Sequence, residues 1–321
     1  MYREDYINAG KYCRIFLKNE KGMAKIIVIG SSNTDMVVRT TKLPVPGETV
    51  LGGDFLMNQG GKGANQAVAV NRLGGNLIFV TKLGCDIFGD QSVSAFREEG
   101  IKLDYIFRNR EITSGIALIT VDENAENSIV VAPGANMSIG TADIDAVVTE
   151  MKAGDFLLLQ LEIPLSTVEY AIGKANEKGV NVVLNPAPVH KLPCTLFNNL
   201  YLITPNRVEA EMLTGVQITK WDDAVKAANV FTEMGVSNVI ITLGSEGCLV
   251  KEREMIYRVE AYKVTPVDTT AAGDTFNGAL CVALSEGKDM EKAVRFASKA
   301  ASIAVTRVGA QKSIPYRCEL K

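Results

Sequence analysis

The sequence predicts an α/β fold: a doubly wound, mostly parallel sheet flanked by helices, with a small β-sheet lid. Three observations carry this expectation. Short runs of Val, Ile and Leu, apolar on both faces, recur from Ile26 onward, as strands of a covered parallel sheet do. Helical patterns that end at glycine lie between them. Two strand-rich segments in the first half break this rhythm and have no crossover helix.

In chain order the predicted strands are "KIIVIG" (25–30), "LIFVTKLG" (77–84), "DFLLLQ" (155–160), "VNVVLN" (180–185), "LYLITP" (200–205) and "VIITLG" (239–244). Helices are expected over "GANQAVAVNRLG" (63–74), "STVEYAIGKANEKG" (166–179) and "DDAVKAANVFTEMG" (222–235), and after "DTTAAGDTF" (268–276). Residues 34–57 read as extended chain around "LPVPGE", and 113–132 read as a hairpin turning at "DENAEN". Together these make the expected lid on one domain spanning 23–321. Residues 1–22 mix charged and apolar side chains without a signal-peptide core and are expected outside the fold.

Composition narrows the function. The chain has 321 residues, 47% hydrophobic and 22% charged, ample for a large core. A net charge of −3 without charge blocks argues against nucleic acid or an anionic membrane as partner. The 6 cysteines form no CxxC pair, so metal knuckles and a disulfide framework are not expected and a reducing cytosol fits. His190, the single histidine, sits in "NPAPVHKLP" and reads as a surface residue, which disfavours histidine-based hydrolysis.

Four stretches carry candidate chemistry. In "DTTAAGDTFNGAL" the residues Ala271–Asp274 open a helix, where unpaired N–H groups and the helix dipole favour an anion. Asp274 beside such an anion is placed to accept a hydroxyl proton, although both Asp268 and Asp274 could equally cap helix ends. In "NQGGKGANQ", Gly60, Gly61 and Gly63 allow close approach of backbone around Lys62, either to a ligand or only to form a turn. The P-loop and Rossmann spacings both fail here. In "SSNTD", Asn33 and Asp35 follow the first strand, where open α/β sheets bind ligands, and either could be a turn residue. Asn206 and Glu209, with Gly244 and Gly247, follow later strands and suit nucleotide phosphates and a magnesium shell, or a simple capping box.

In this order, "GGKGANQAVAVNRLG" and "DTTAAGDTFNGAL" resemble the two signatures of the ribokinase-type sugar kinase family, over about Lys25 to Arg317. The resemblance implies ATP-dependent phosphorylation of D-ribose at its 5-hydroxyl, with Mg²⁺ and K⁺ as cofactors and a homodimer formed through the lid. Asp274 matches the family's base, and the backbone of Ala271, Ala272, Gly273 and Asp274 its anion hole. Many relatives have Gly where this chain has Ala271, a difference expected to matter little because the donors are backbone. Asn33, Asp35, Gly61, Lys62, Gly63, Asn65 and Glu162 match the sugar-binding set, with Asp274. Asn206 and the stretch Thr242, Leu243, Gly244, Ser245, Glu246 and Gly247 match the ATP-binding set, with Gly273 and Ser298. "AVTRVGAQKS" resembles the monovalent-cation loop, so Asp268, Thr270, Ala304, Arg307, Gly309 and Ser313 correspond to potassium ligands.

Two alternatives stand beside this reading. One is a kinase for deoxyribose, fructose or adenosine, since fold does not fix substrate. A nucleoside kinase is expected to stack the base on aromatic side chains, and the lid strands offer little beyond Phe55. The other is a catalytically silent sugar-binding regulator, which would have lost the base or the anion hole.

Overall fold

The computed structural model describes residues 23–124 and 126–321; the extension expected over 1–22 lies outside them. The strands are β1 (Lys25–Ile29), β2 (Asn33–Arg39), β3 (Phe55–Gly60), β4 (Asn76–Gly84), β5 (Ile106–Asn109), β6 (Gly115–Val121) and β7 (Asn127–Ala132). Further on come β8 (Phe156–Leu159), β9 (Asn181–Leu184), β10 (Leu202–Ile203), β11 (Asn238–Thr242), β12 (Cys248–Glu252) and β13 (Met255–Val259). The helices are α1 (Lys62–Arg72), α2 (Ile87–Glu98), α3 (Thr141–Val148), α4 (Leu165–Glu177) and α5 (Cys194–Phe197). They continue with α6 (Arg207–Thr214), α7 (Trp221–Glu233), α8 (Ala272–Ser285), α9 (Met290–Ala304) and α10 (Ala310–Ser313).

The main sheet runs β13-β12-β11-β10-β9-β8-β1-β4-β5. From β5 to β11 every pairing is parallel. The strands β12 and β13 add an antiparallel edge. The central strands are apolar on both faces because both are covered. Ile27, Ile29, Leu157 and Leu159 face one core with Val168, Ala228 and Phe231, residues of α4 and α7. Ile26, Val28 and Leu158 face the other, with Val68, Leu280 and Ala297 of α1, α8 and α9. Side chains that alternate across a strand need two apolar layers, and the helices on each face supply them.

The second sheet is ordered β3-β2-β6-β7. β2 pairs antiparallel with β3 and parallel with β6, and β6 turns back antiparallel into β7. It starts directly after β1, so its first residues, Asn33 and Asp35, hang over the carboxyl ends of the main strands.

Candidate active site

The loops after β1, β8, β10 and β11 converge with the N-termini of α1 and α8. Gly61, at φ +87°, turns the chain from β3 into α1, and a Cβ there would stand 2.8 Å from Asn33 N. Gly63 lies against the Gly30–Ser31 backbone. These glycines therefore seat α1 against the β1–β2 loop, which delivers Lys62, Asn65 and Gln66 into one place.

Asp274 lies in the first turn of α8 and is buried. Its Oδ2 accepts from Asn65 Nδ2 at 2.9 Å and its Oδ1 from Gln66 Nε2 at 3.0 Å. Asp274 is thus pointed at α1 and caps nothing. Burial pushes its carboxyl above the usual range, with Lys62, Asn65 and Gln66 opposing and Glu162 adding. Burial, then Glu162, raises Asp35 to about 7; Lys62 opposes and Asp274 adds. Burial works against the Lys62 ammonium, yet Asp274, Glu162 and Glu209 hold it charged above its ordinary range. One lysine is therefore shared among several carboxylates, an excess of negative charge that binding a neutral polyol leaves intact.

Glu162 is brought into this set after β8. It accepts from Ser31 Oγ at 2.5 Å and from Lys62 N at 2.9 Å, with Lys62 Nζ at 3.7 Å. Asn33 Oδ1 accepts from Asn136 Nδ2 at 2.7 Å, and Asn136 Oδ1 accepts from Ser32 N at 2.9 Å. Asn136, which the sequence reading missed, clamps the start of the second sheet. Gly60 leaves room for Asp35, since a Cβ would meet its Oδ2 at 2.1 Å.

Across α8 lies a cavity of about 350 Å³. Thr242, Gly244, Ser245, Gly247, Gly273 and Ser298 line it, with apolar walls such as Ala261, Val264 and Phe276. Leu243 instead packs into the core, and Glu246 pairs with Arg207 outside the lining. Asn206 forms the expected capping box: it accepts from Glu209 N at 2.9 Å, and Glu209 Oε2 accepts from Asn206 N at 2.9 Å. Burial raises the Glu209 carboxyl; the Asn206 N–H and Lys62 oppose, and Asp274 adds.

At the mouth of α8, Ala272 N already donates to Thr269 O at 3.2 Å. Of the four expected donors this leaves those of Ala271, Gly273 and Asp274 without an intrahelical acceptor by position. Ala271 itself takes the left-handed conformation, φ +59°. The expectation that Ala for Gly matters little concerned the backbone donors; to stability the difference does matter, because a Cβ in that region costs about 1–2 kcal/mol. Ala271→Gly is expected to raise stability by up to about 1 kcal/mol in chemical denaturation, after the entropy of a freer unfolded chain is subtracted. Unchanged or lower stability would show that no strain is stored there.

Asp268 ties two loops together, accepting from Thr270 N at 2.9 Å and from Gly309 N at 2.9 Å. Burial works to raise it, but these bonds and the Arg39 charge hold it low. Val305 O accepts from Val267 N at 2.7 Å and from Asp268 N at 3.2 Å. Ala304 O accepts from Arg307 N at 3.0 Å, the Arg307 guanidinium pairs with Glu319, and Ser313 Oγ donates to Ala310 O at 2.8 Å.

A buried carboxylate among polar and charged side chains, at a helix N-terminus that also borders an apolar-walled cavity, suits a phosphotransferase acting on a hydroxyl. The chain belongs to the pfkB family of carbohydrate kinases, whose model matches residues 23–317. It is 44% identical to the ribokinase of Haemophilus influenzae over 294 residues, 92% of this chain and 96% of that one. It is 36% identical to the deoxyribokinase of Salmonella typhi over 291 residues, 90% of this chain and 95% of the relative. A ribokinase of Arabidopsis thaliana, solved with ribose and ATP, superposes with a TM-score of 0.86 at 32% identity, covering 93% of this chain and 97% of that one.

Proposed function

We infer that this chain transfers the terminal phosphoryl group of ATP to the 5-hydroxyl of D-ribose, giving D-ribose 5-phosphate and ADP. The observation that carries the reading is Asp274, ringed by the polar groups Asn65, Lys62 and Glu162 and set at the end of α8 that also borders the 350 Å³ cavity. Asn33, Asp35, Lys62, Asn65 and Glu162, with the backbone of Gly61 and Gly63, hold the sugar by its hydroxyls. Asp274 takes the proton of the 5-hydroxyl as its oxygen attacks, and its raised affinity for protons suits that step. The N–H groups of Ala271, Gly273 and Asp274 face the charge that grows on the transferring group. Thr242, Gly244, Ser245, Gly247 and Ser298 hold the nucleotide.

Among the described residues no cluster of three or more His, Cys, Asp or Glu suits a metal ion. Magnesium bound through phosphates needs only one or two protein oxygens. Asn206 and the buried Glu209 fit that role, and when bound the ion neutralises phosphate charge. For potassium, the fit rests on the donors where the 267–270 and 304–313 loops meet: carbonyls, hydroxyls and one carboxylate. That set suits a large, weakly hydrated cation held by Asp268, Thr270, Ala304, Arg307, Gly309 and Ser313. We further propose a homodimer through the lids, supported by Phe55, Leu118, Ile129, Val130 and Val131, all at least half exposed on an open sheet. A reducing cytosol suits the free cysteines Cys85, Cys194, Cys248 and Cys281.

A coupled ATPase assay over ribose, deoxyribose, fructose and adenosine tests the substrate, with kcat/KM expected highest for ribose. A higher value for another acceptor transfers the reading to it. Sugar binding without turnover of any acceptor would favour the silent regulator. The same assay in potassium against choline chloride, at equal ionic strength, is expected to show a higher kcat in potassium with a smaller change in KM for ribose. Asp268→Ala should mimic potassium withdrawal without adding to it, because both act through one site. Equal rates in the two salts would leave the loop a structural element.

A further inference from the structure

Behind Asp274 runs a chain of buried amides that phosphoryl transfer, as derived above, does not use. Gln66 and Gln160 are completely buried. Gln160 Nε2 donates to Gln66 Oε1 at 2.5 Å, and Gln66 Nε2 donates to both Asp274 Oδ1 and Asn185 Oδ1 at 3.0 Å. Asn185 Nδ2 reaches Thr204 O at 3.4 Å, Thr204 Oγ1 donates to Asn277 Oδ1 at 2.6 Å, and Asn277 Nδ2 donates to Gly273 O at 2.9 Å. The chain leaves from the Asp274 carboxylate and returns to the carbonyl of the preceding residue. It therefore ties the base to the backbone of the helix mouth.

Direction matters in such a chain. A glutamine amide has a donor end and an acceptor end of nearly the same shape. Turned over, Gln66 would aim its oxygen at the Asp274 carboxylate and at Asn185 Oδ1, two acceptors. Gln160 prevents this by occupying Gln66 Oε1 with a donor. The arrangement leaves Gln160 Oε1 buried without a hydrogen bond, packed where a Cβ on Gly30 would stand 2.1 Å away. The unpaired acceptor is a cost to folding that Gln160 bears while its N–H₂ keeps Gln66 turned with its donor toward Asp274.

We propose that Gln66, oriented by Gln160, is a positioning residue that holds the Asp274 carboxylate in line for the substrate hydroxyl. The proposal rests on the kinase reading for its kinetic consequence only. Besides Gln66 and Asn65, the charged groups that act on Asp274 are Lys62 and Glu162, and it acts in turn on Asp35 and Glu209.

The test uses the full chain with Gln66→Leu and Gln160→Met, each close in volume to the native residue. Losing a hydrogen bond to a charged acceptor is expected to lower kcat roughly tenfold or more in Gln66→Leu, with KM for ribose changed less than about threefold. With one donor gone the proton is held more tightly, so the acid limb of kcat against pH moves upward. Gln160→Met should shift both readings the same way and by less, because Gln66 keeps its donor but loses its orientation. If Gln66→Leu does not fold, Gln160→Met alone decides. Folded variants with native kcat, or with lowered kcat and an unmoved acid limb, overturn the proposal. If the native chain itself turns over no acceptor, the kinase reading fails separately. Carbon-13 NMR of the labelled Asp274 carboxyl in native and variant chains then still decides, an unshifted titration counting against the positioning role.

Discussion

Asp274→Asn is expected to lower kcat by roughly 10²–10⁴ while leaving ribose affinity within a few-fold, the range for loss of a general base. The substitution keeps shape and removes charge. Native Asp274 offers two acceptor oxygens to two donors, Asn65 Nδ2 and Gln66 Nε2. An asparagine there matches only one of them and turns its own N–H₂ toward the other, so a small loss of stability accompanies the kinetic loss. What it cannot do is take a proton from the substrate oxygen. Ribose titrated by calorimetry without nucleotide should bind nearly as before, since Asn33, Asp35, Lys62 and Glu162 are untouched. Single-turnover rates with saturating ATP isolate the chemical step. A variant with near-native rate in that experiment removes Asp274 from the base role, and a variant that no longer binds ribose makes it a sugar ligand first.

The fold could be read from the sequence because each central strand is apolar on both faces, a pattern only a covered sheet explains. The edge strands β12 and β13 escaped that reading: β12 is buried from Cys248 to Lys251 but has only three apolar residues before that lysine, β13 buries only Val259, and their signal was the polar "EREM" turn between two short runs. The site divides in the same way. Asp274, Lys62 and Asn65 stand in glycine-rich turns whose backbone demands are visible in one dimension. Glu162 and Asn136 are brought in by contacts 100 or more residues away, to Lys62 and to Ser32 and Asn33, and nothing local marks them. Gln66 and Gln160 did leave a trace, since a glutamine within "GANQAVAV" or ending "DFLLLQ" is a polar group in an otherwise apolar run. Such residues are buried only with partners, and their partners are not adjacent in sequence. The left-handed Ala271 left none, because alanine carries no preference that announces a positive φ.

The second large effect is expected far from any reacting atom, at Gly63. A Cβ added there would stand 2.5 Å from Gly30 C and 2.5 Å from Ser31 N, and 2.7 Å from Gly30 Cα. All three are backbone atoms of the loop that leaves β1, a strand fully buried but for Lys25, so nothing flexible can yield. Gly63→Ala must therefore push α1 outward by something near 1 Å. Overpacking of this kind costs about 1–3 kcal/mol of stability. The larger consequence is kinetic. The displaced turn carries Lys62, Asn65 and Gln66 together, and Ala64 N, now 2.8 Å from Ser31 O, moves with it. A 1 Å misplacement of positioning groups is enough for roughly 10²-fold in rate, so kcat/KM for ribose should fall by about that factor in protein that is still folded. Gly173→Ala is the matched control, because a Cβ there meets nothing within 4 Å and lies inside α4. That variant should gain roughly 0.5–1 kcal/mol from helix propensity and keep its activity. Circular dichroism melts and initial rates on both proteins separate the two outcomes. Native rates in Gly63→Ala would mean that α1 tolerates the shift and that the close seating of its N-terminus is not what aligns the base with its substrate.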